Sequence, residues 1–147
     1  MKKYLIILFV LLFLGLSAVG CSNDTSNEGS EIDVDLTGLS QTMVEAQYEH
    51  ILANSSDFMG KTIRVIGTYF PLYMAQYDTT YHYVIIVFGD DCCQLGFEFI
   101  RDGDYVVPDD YPAMNAPIEV IGVLDRYEER GVSYLYIAVK EFILLDS

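Results

Sequence analysis

The sequence predicts a mainly β domain: a small five-stranded barrel preceded by one amphipathic helix. Two observations lead to this fold class. Five segments rich in Val, Ile, Tyr and Phe are separated by clusters of Gly, Asp or Pro, which is typical of short strands joined by turns. Before them, between residues 42 and 53, apolar residues recur at helical spacing.

The helix is predicted to begin at the capping box Thr42-Met43-Val44-Glu45, where the threonine and glutamate side chains satisfy free backbone N–H groups. Asn54-Ser55-Ser56 is predicted to end it. His50 points away from the apolar stripe, so we expect it to lie on the surface. The stripe that should pack on the core consists of Val44, Tyr48, Ile51 and Leu52.

The five predicted strands cover residues 62–70, 81–88, 92–100, 117–127 and 132–139. The second is apolar on both faces, which suits a strand covered on both sides. Glu128-Glu129-Arg130-Gly131 joins the last two strands. Gly131 is free to adopt the positive φ of a tight turn, so this connection predicts a β-hairpin.

An internal repeat indicates how the strands are arranged. Ile63-Arg64-Val65-Ile66-Gly67 and Ile118-Glu119-Val120-Ile121-Gly122 share the pattern Ile-x-Val-Ile-Gly at a spacing of 55 residues. A glycine weakens a strand unless the chain must bend or bulge there, so we expect the first and fourth strands to curl. A Greek-key barrel of the oligonucleotide/oligosaccharide-binding (OB) type fits five strands with these bends. An open sheet packed on the helix is the alternative.

Three stretches carry a resemblance to known proteins: Gly60-Lys61-Thr62-Ile63-Arg64-Val65, Asp91-Cys92-Cys93-Gln94-Leu95-Gly96-Phe97-Glu98-Phe99, and the repeat at Ile118-Glu119-Val120-Ile121-Gly122. Over roughly residues 60–140 the chain resembles a group of uncharacterised lipoproteins of Gram-positive bacteria. More distantly, it resembles the OB-like domain of a membrane-protein family encoded beside predicted permeases. The resemblance implies an OB-like fold and no established activity.

The connection between the third and fourth strands departs from the usual OB pattern, in which a helix is common. Residues 101–116 contain Pro108 and Pro112, and Pro117 follows directly. Because proline removes a backbone donor and clashes with the preceding turn, no long helix is expected there. We expect the N-terminal helix to cover that end of the barrel instead.

Residues 1–20 have the pattern of an export signal. Lys2 and Lys3 precede an apolar run over residues 4–14, which is short for a membrane span, and small residues follow. Cys21 follows Val19-Gly20 as in the lipobox of bacterial lipoproteins, so we expect the signal to be removed and Cys21 to carry acyl chains such as palmitate. The protein would then be anchored on the extracytoplasmic face of the cell membrane. An ordinary secretory signal and an uncleaved anchor are the alternatives.

The charge of the chain argues against one class of partner. It has 22 Asp and Glu against 8 Lys and Arg, a net charge of −14, and loss of residues 1–20 would change this to −16. Nucleic-acid affinity depends largely on basic side chains that displace counterions, so we expect no nucleic-acid binding. Residues 21–39 are predicted to form an acidic flexible tether and residues 40–147 the folded domain.

Cys92 and Cys93 form the first candidate site. Adjacent side chains of a strand point to opposite faces, so both thiols cannot lie in the core without a local distortion. Three interpretations stay open: two packed free thiols, a strained vicinal disulfide, or a metal site. A hairpin centred near Asp90 would place His82 opposite Glu98, far from the thiols, which argues against a zinc cluster. We expect no cofactor.

Tyrosines form the second candidate site. They cluster around the loop between the first and second strands, which borders the usual ligand face of an OB barrel. A tyrosine ring offers an apolar face and a hydroxyl, which suits an envelope protein, a peptide or a glycan. Favourable cross-strand packing of tyrosines is the alternative explanation. The predicted ligand face consists of Tyr69, Tyr73, Tyr77, Tyr81 and Tyr83.

The sequence lacks the motifs of common hydrolases: there is no Gly-x-Ser-x-Gly, no His-Glu-x-x-His and no phosphate-binding glycine loop. We therefore do not expect an enzyme. Two functional hypotheses follow. The first is a membrane-anchored extracytoplasmic module that binds a ligand or partner without catalysis. The second is a thiol-dependent redox or metal-handling lipoprotein that uses Cys92 and Cys93 and serves a transporter.

Overall fold

The computed structural model describes residues 31–88 and 93–146, except for the side chain of Cys93. Cys21 and Cys92 lie outside the described residues. These described residues form two helices and six strands. In chain order these are β1 (Val34–Asp35), α1 (Gln41–Ala53), α2 (Ser55–Phe58), β2 (Thr62–Met74), β3 (Thr79–Phe88), β4 (Cys93–Ile100), β5 (Pro117–Glu129) and β6 (Val132–Leu144).

The five long strands close into a barrel. They pair in the order β2-β3-β4-β6-β5, and β5 pairs with β2 to complete the circle. Only the β4–β6 pair is parallel among these five strands. This is the Greek-key order of an OB barrel, so the predicted fold class is confirmed and the open sheet is wrong.

The repeated pattern explains the closure. The two copies pair with each other antiparallel, Val65 opposite Val120 at the centre and each glycine opposite the first isoleucine of the other copy. At Thr68, β2 changes partner from β5 to β3. A Cβ on Gly67 would collide with the backbone carbonyl of Ile85, and one on Gly122 with that of Ala138. Both positions therefore need glycine, because any side chain there would prevent the neighbouring strand from pairing so closely.

The core fills the barrel with side chains that alternate along the strands. Ile63 and Val65 of β2 face Ile118 and Val120 of β5 inside, and all four are fully buried. Further large members of the same cluster come from all five long strands and from helix α2: Phe58, Tyr69, Val84, Phe97, Phe99, Leu124 and Ile137. This alternation leaves the outer face of the barrel to the residues between them.

Helix α1 confirms the predicted helix and corrects two details. Its N-cap is Ser40 and Thr42 lies within the first turn, so the proposed capping box is wrong. Val44 and Ile51 are buried as expected, but Leu52 is 46% exposed because it lies at the edge of the stripe. His50 is exposed, as predicted. After Asn54, the short helix α2 buries Phe58.

The two ends of the barrel are covered differently from the prediction. Residues 101–116 form no helix, as expected from their prolines. This loop covers its own end, with Tyr111 stacked on Tyr69 and the Asn115 N–H donating to the Tyr69 carbonyl. Helix α1 packs elsewhere, against β4, where the Tyr48 hydroxyl donates to the Gly96 carbonyl at 3.0 Å. The expectation that α1 replaces the missing helix is therefore wrong.

The folded domain includes part of the predicted tether. Strand β1 lies parallel to β2, with Val34 opposite Ile63, and Leu36 belongs to the core. The Asp33 carboxylate accepts a hydrogen bond from the Thr62 N–H at 2.7 Å. Residues 33–39 are thus part of the barrel domain, because a parallel strand and a buried leucine attach them to it.

Among residues 31–88 and 93–146, neither helix has the length and apolar composition that a membrane span needs.

Candidate functional site

The candidate site lies on the outer face of β3 and β4, between the tips of two hairpins. The β5–β6 turn has Arg130 and Gly131 at φ of 53° and 79°, which confirms the predicted hairpin. The Arg130 guanidinium reaches across to the β2–β3 turn and lies 3.2 Å from the centre of the Tyr77 ring. The two tips therefore meet over this face.

Register decides which side chains reach the site. Tyr83 of β3 pairs with Glu98 of β4, so both point outward, while their neighbours Val84 and Phe97 point into the core. The predicted pairing of His82 with Glu98 is wrong by one residue; His82 instead lies near Phe99 on the core side. A register shift of one residue places the side chains of a strand on the opposite face. In the observed register the neighbour of Glu98 is therefore Tyr83 and not His82.

Three adjoining hollows of about 370, 300 and 300 Å³ occupy this face. Glu98 lines all three, Tyr81 and Tyr127 line the first two, and Tyr83 and Tyr134 line the last two. Because they share these lining side chains, the three hollows make up one candidate site. We call it the tyrosine groove and define it by Tyr77, Tyr81, Tyr83, Tyr127, Tyr134, Glu98, Glu129 and Arg130.

Glu98 forms the floor of the tyrosine groove. It is only 7% exposed, and both of its carboxylate oxygens lie 3.0 Å from the Tyr127 hydroxyl, which donates to them. Burial raises the pKa of Glu98, and the hydrogen bond from Tyr127 opposes that rise. The pKa of Tyr127 is raised in turn by burial and by the negative charge of Glu98. No basic side chain within residues 31–88 and 93–146 forms an ion pair with Glu98.

Glu129 is placed at the rim, beside the hairpin tip. It accepts a hydrogen bond from the Tyr81 hydroxyl at 2.7 Å and forms an ion pair with Arg130 at 2.9 Å. The hydrogen bond to Glu129 raises the pKa of Tyr81. The hydroxyls of Tyr81 and Tyr127 thus both donate hydrogen bonds to carboxylates, and these bonds hold the two rings in fixed orientations.

The largest hollow opens where β3 and β4 separate. Their pairing begins at Tyr83 and Glu98, whereas residues 79–82 of β3 pair with β2 on their other side. His82 lies in this opening, stacked on Tyr111 at 4.0 Å between ring centres, and its Nδ1 shares a hydrogen bond with the Tyr69 hydroxyl at 2.7 Å. Burial, helped by the charge of Arg101, lowers the pKa of His82 to about 4.

We expect His82 to make the protein less stable in mild acid. The pKa of His82 is about 4 in the folded chain, against 6.5 for an unperturbed histidine in the unfolded chain. Between these two values the unfolded chain binds the proton more readily, so the contribution of His82 to stability is complete above pH 6.5 and is lost as pH falls towards 4. The loss should be about 1–2 kcal/mol, below the roughly 3 kcal/mol of a fully buried group, because solvent screens part of the ring. Urea unfolding between pH 7 and 4 measures it. His82→Gln should flatten the curve in this range; parallel curves for both proteins would contradict the assignment.

The structure divides the predicted tyrosine face. Tyr77, Tyr81 and Tyr83 line the groove. Tyr69 is 1% exposed and belongs to the core, because it continues the inward-facing alternation of Ile63 and Val65 along β2, so its assignment to the ligand face is corrected. Tyr73 is 58% exposed, donates to Asp78 and lines none of the three hollows.

The predicted cysteine sites lie outside the part of the chain that the structure describes. Cys92, the Cys93 side chain and Cys21 are not among the described atoms, so the thiol site and the lipidation site stay predictions. Among residues 31–88 and 93–146, no three His, Cys, Asp or Glu side chains are grouped so as to hold a metal ion.

The sequence did not indicate five of the eight residues that define the groove. Tyr127 and Glu129 end β5, and Arg130 and Tyr134 follow in the hairpin and β6, about fifty residues from the tyrosines that were predicted. Glu98 was considered only as the cross-strand neighbour of a histidine. The only sequence signal for Glu98 as a site residue is its position between Phe97 and Phe99, where a carboxylate in an apolar strand has to face outward.

Neither the comparison with protein-family models nor that with curated proteins gives a match for this chain.

Proposed function

We propose that the protein is a lipid-anchored binding module of the cell envelope, attached to the extracytoplasmic face of the membrane through Cys21, with the tyrosine groove as its ligand face. The observation that carries the proposal is the groove itself: aromatic rings around a buried carboxylate on the face where OB barrels usually bind ligands. Its role is recognition without catalysis.

The chemistry of the groove supports binding. Aromatic side chains supply large contact areas at a small entropic cost, and rings held by hydrogen bonds lose little further freedom when a ligand arrives. Tyr81 and Tyr127 are held in this way by Glu129 and Glu98. The same two carboxylates would repel a phosphate backbone, so nucleic acid is a poor candidate for this OB barrel.

The anchor is supported by the sequence. The basic start, the apolar run and the small residues before Cys21 match a lipoprotein signal, and the chain resembles uncharacterised lipoproteins of Gram-positive bacteria. Two acyl chains hold a protein firmly on a bilayer, whereas its acidic body would be repelled by anionic headgroups. The domain would then stand off from the membrane with its groove accessible.

Calorimetric titration of the mature chain tests the ligand face. Residues 21–147 with Cys21→Ser, which removes the acylation site, would be titrated with cell-wall glycan fragments and with basic, neutral and acidic peptides. We expect at least one class to bind. Tyr134→Ala should weaken that binding about tenfold, because an aromatic side chain at a binding surface is worth about 1–2 kcal/mol.

Tyr105→Ala is the matched control. Tyr105 is 42% exposed, against 41% for Tyr134, and lies in the loop 101–116 outside the groove. It should leave the affinity within twofold of the parent. No heat change with any ligand class, or equal loss of affinity in both variants, would refute the proposal.

A further inference from the structure

Resting on the proposed function, we infer that the occupant of the tyrosine groove is an extended basic segment of a partner protein, with a lysine or arginine side chain bound at Glu98. Three features carry the inference: a cation already held at one end of the groove, a buried carboxylate at its centre, and the charge of the whole chain.

The chain's own Arg130 demonstrates the chemistry at the rim. Its guanidinium lies over the Tyr77 ring at 3.2 Å from the centre and pairs with Glu129 at 2.9 Å. An aromatic face and a carboxylate are the two partners that a guanidinium prefers, one through cation–π attraction and the other through a charge-assisted hydrogen bond. The groove is therefore built from groups that hold cations.

Glu98 provides the same combination at the centre. It lies opposite Tyr83 and beneath Tyr127, whose ring stacks on Tyr134 with 5.5 Å between centres. The Tyr127 hydroxyl has one proton for two carboxylate oxygens, so the carboxylate keeps capacity to accept from a ligand. The raised pKa of Glu98 indicates that burial penalises its charge. A cationic side chain would offset that penalty, which a glycan hydroxyl cannot do to the same extent.

The shape and the charge favour a segment of a protein chain. Three hollows in a row, all touching Glu98, provide room for several consecutive residues. In the middle hollow Glu98 and Glu129 outnumber the one basic side chain, Arg130. The net charge of −14 would also attract a basic partner from a distance.

Fluorescence anisotropy with three labelled, capped peptides of equal length tests the inference. They differ only in carrying lysine, glutamine or glutamate on both sides of a central tyrosine. The lysine peptide should bind the mature Cys21→Ser chain at least tenfold more tightly than the glutamine peptide, and the glutamate peptide should bind least. Binding of the lysine peptide should weaken as sodium chloride is raised.

Glu98→Gln identifies the site. Glutamine keeps the size of the side chain and accepts from Tyr127, so the fold should survive, yet affinity for the lysine peptide should fall about tenfold. Glu141→Gln, an exposed carboxylate of β6, should change it less than twofold. Equal binding of lysine and glutamine peptides, or full affinity in Glu98→Gln, would overturn the inference.

The results also separate the inference from the proposed function. If glycan fragments or neutral peptides bind and Tyr134→Ala weakens them, the groove is a ligand face and only the basic occupant is refuted. If no ligand of any class binds, both proposals fail.

Discussion

Gly122→Ala is expected to lower the free energy of unfolding by about 3 kcal/mol, a large share of the roughly 5–15 kcal/mol that stabilises a typical domain. A methyl group at this position would collide with the carbonyl of Ala138 and lie 2.6 Å from Cγ2 of Ile137, which is fully buried. The carbonyl cannot move away, because β5 and β6 are paired on both sides of the bulge at Ile121 and Gly122. Urea unfolding followed by circular dichroism measures the effect.

Gly38→Ala is the matched control for this experiment. Gly38 has no atom within 4 Å of the position that a Cβ would take, so the change should alter stability by less than about 0.5 kcal/mol. Gly67→Ala, at the corresponding place in the other copy of the repeat, should behave like Gly122→Ala. Near-parental stability of Gly122→Ala would contradict the described packing of β5 on β6.

Cys21→Ser is expected to abolish lipid attachment completely. If Cys21 carries the acyl chains, the serine variant should incorporate no clickable fatty-acid analogue in growing cells, whereas the parent is labelled. Each buried CH₂ of such a chain contributes about 0.8 kcal/mol to membrane binding, so the parent should partition almost entirely into a detergent phase. Gel fluorescence and intact mass measure the outcome.

Cys92→Ser and Cys93→Ser are the controls for the anchor, since the chain has three cysteines. Both should stay fully labelled, and the mass of the parent should show that residues 1–20 are gone. Label that persists in Cys21→Ser, or that disappears in Cys92→Ser, would refute the proposed anchor.

Much of the fold was predictable because the decisive signals are local. Strand-forming residues, the hairpin at Arg130 and Gly131, and prolines in the loop 101–116 each act within a few residues. The repeated Ile-x-Val-Ile-Gly was also informative, since a glycine inside such a strand indicates a bulge or a place where the backbone of a neighbouring strand comes close. Both glycines prove to face a carbonyl of a neighbouring strand.

The errors arose where the outcome depends on tertiary contacts. The predicted β3–β4 register differs from the observed one by one residue, and this difference exchanged His82 for Tyr83 beside Glu98. Tyr69 is a different case, because the alternation of β2 already places it on the same inward face as Ile63 and Val65, and its nearness to the β2–β3 loop was given too much weight. The groove needed Tyr127 and Tyr134 as well, and only closure of the barrel brings these to Glu98.

The central claim is that the tyrosine groove is the ligand face, and the position of a bound ligand tests it most directly. Backbone amide shifts of the ¹⁵N-labelled mature Cys21→Ser chain would be followed during titration with the lysine peptide. We predict that the largest shifts map to Tyr83, Glu98 and Tyr134, while those of Arg64 and Glu119 on the β2–β5 side stay unchanged. Shifts confined to the β2–β5 side, or no shifts at the groove, would contradict the account.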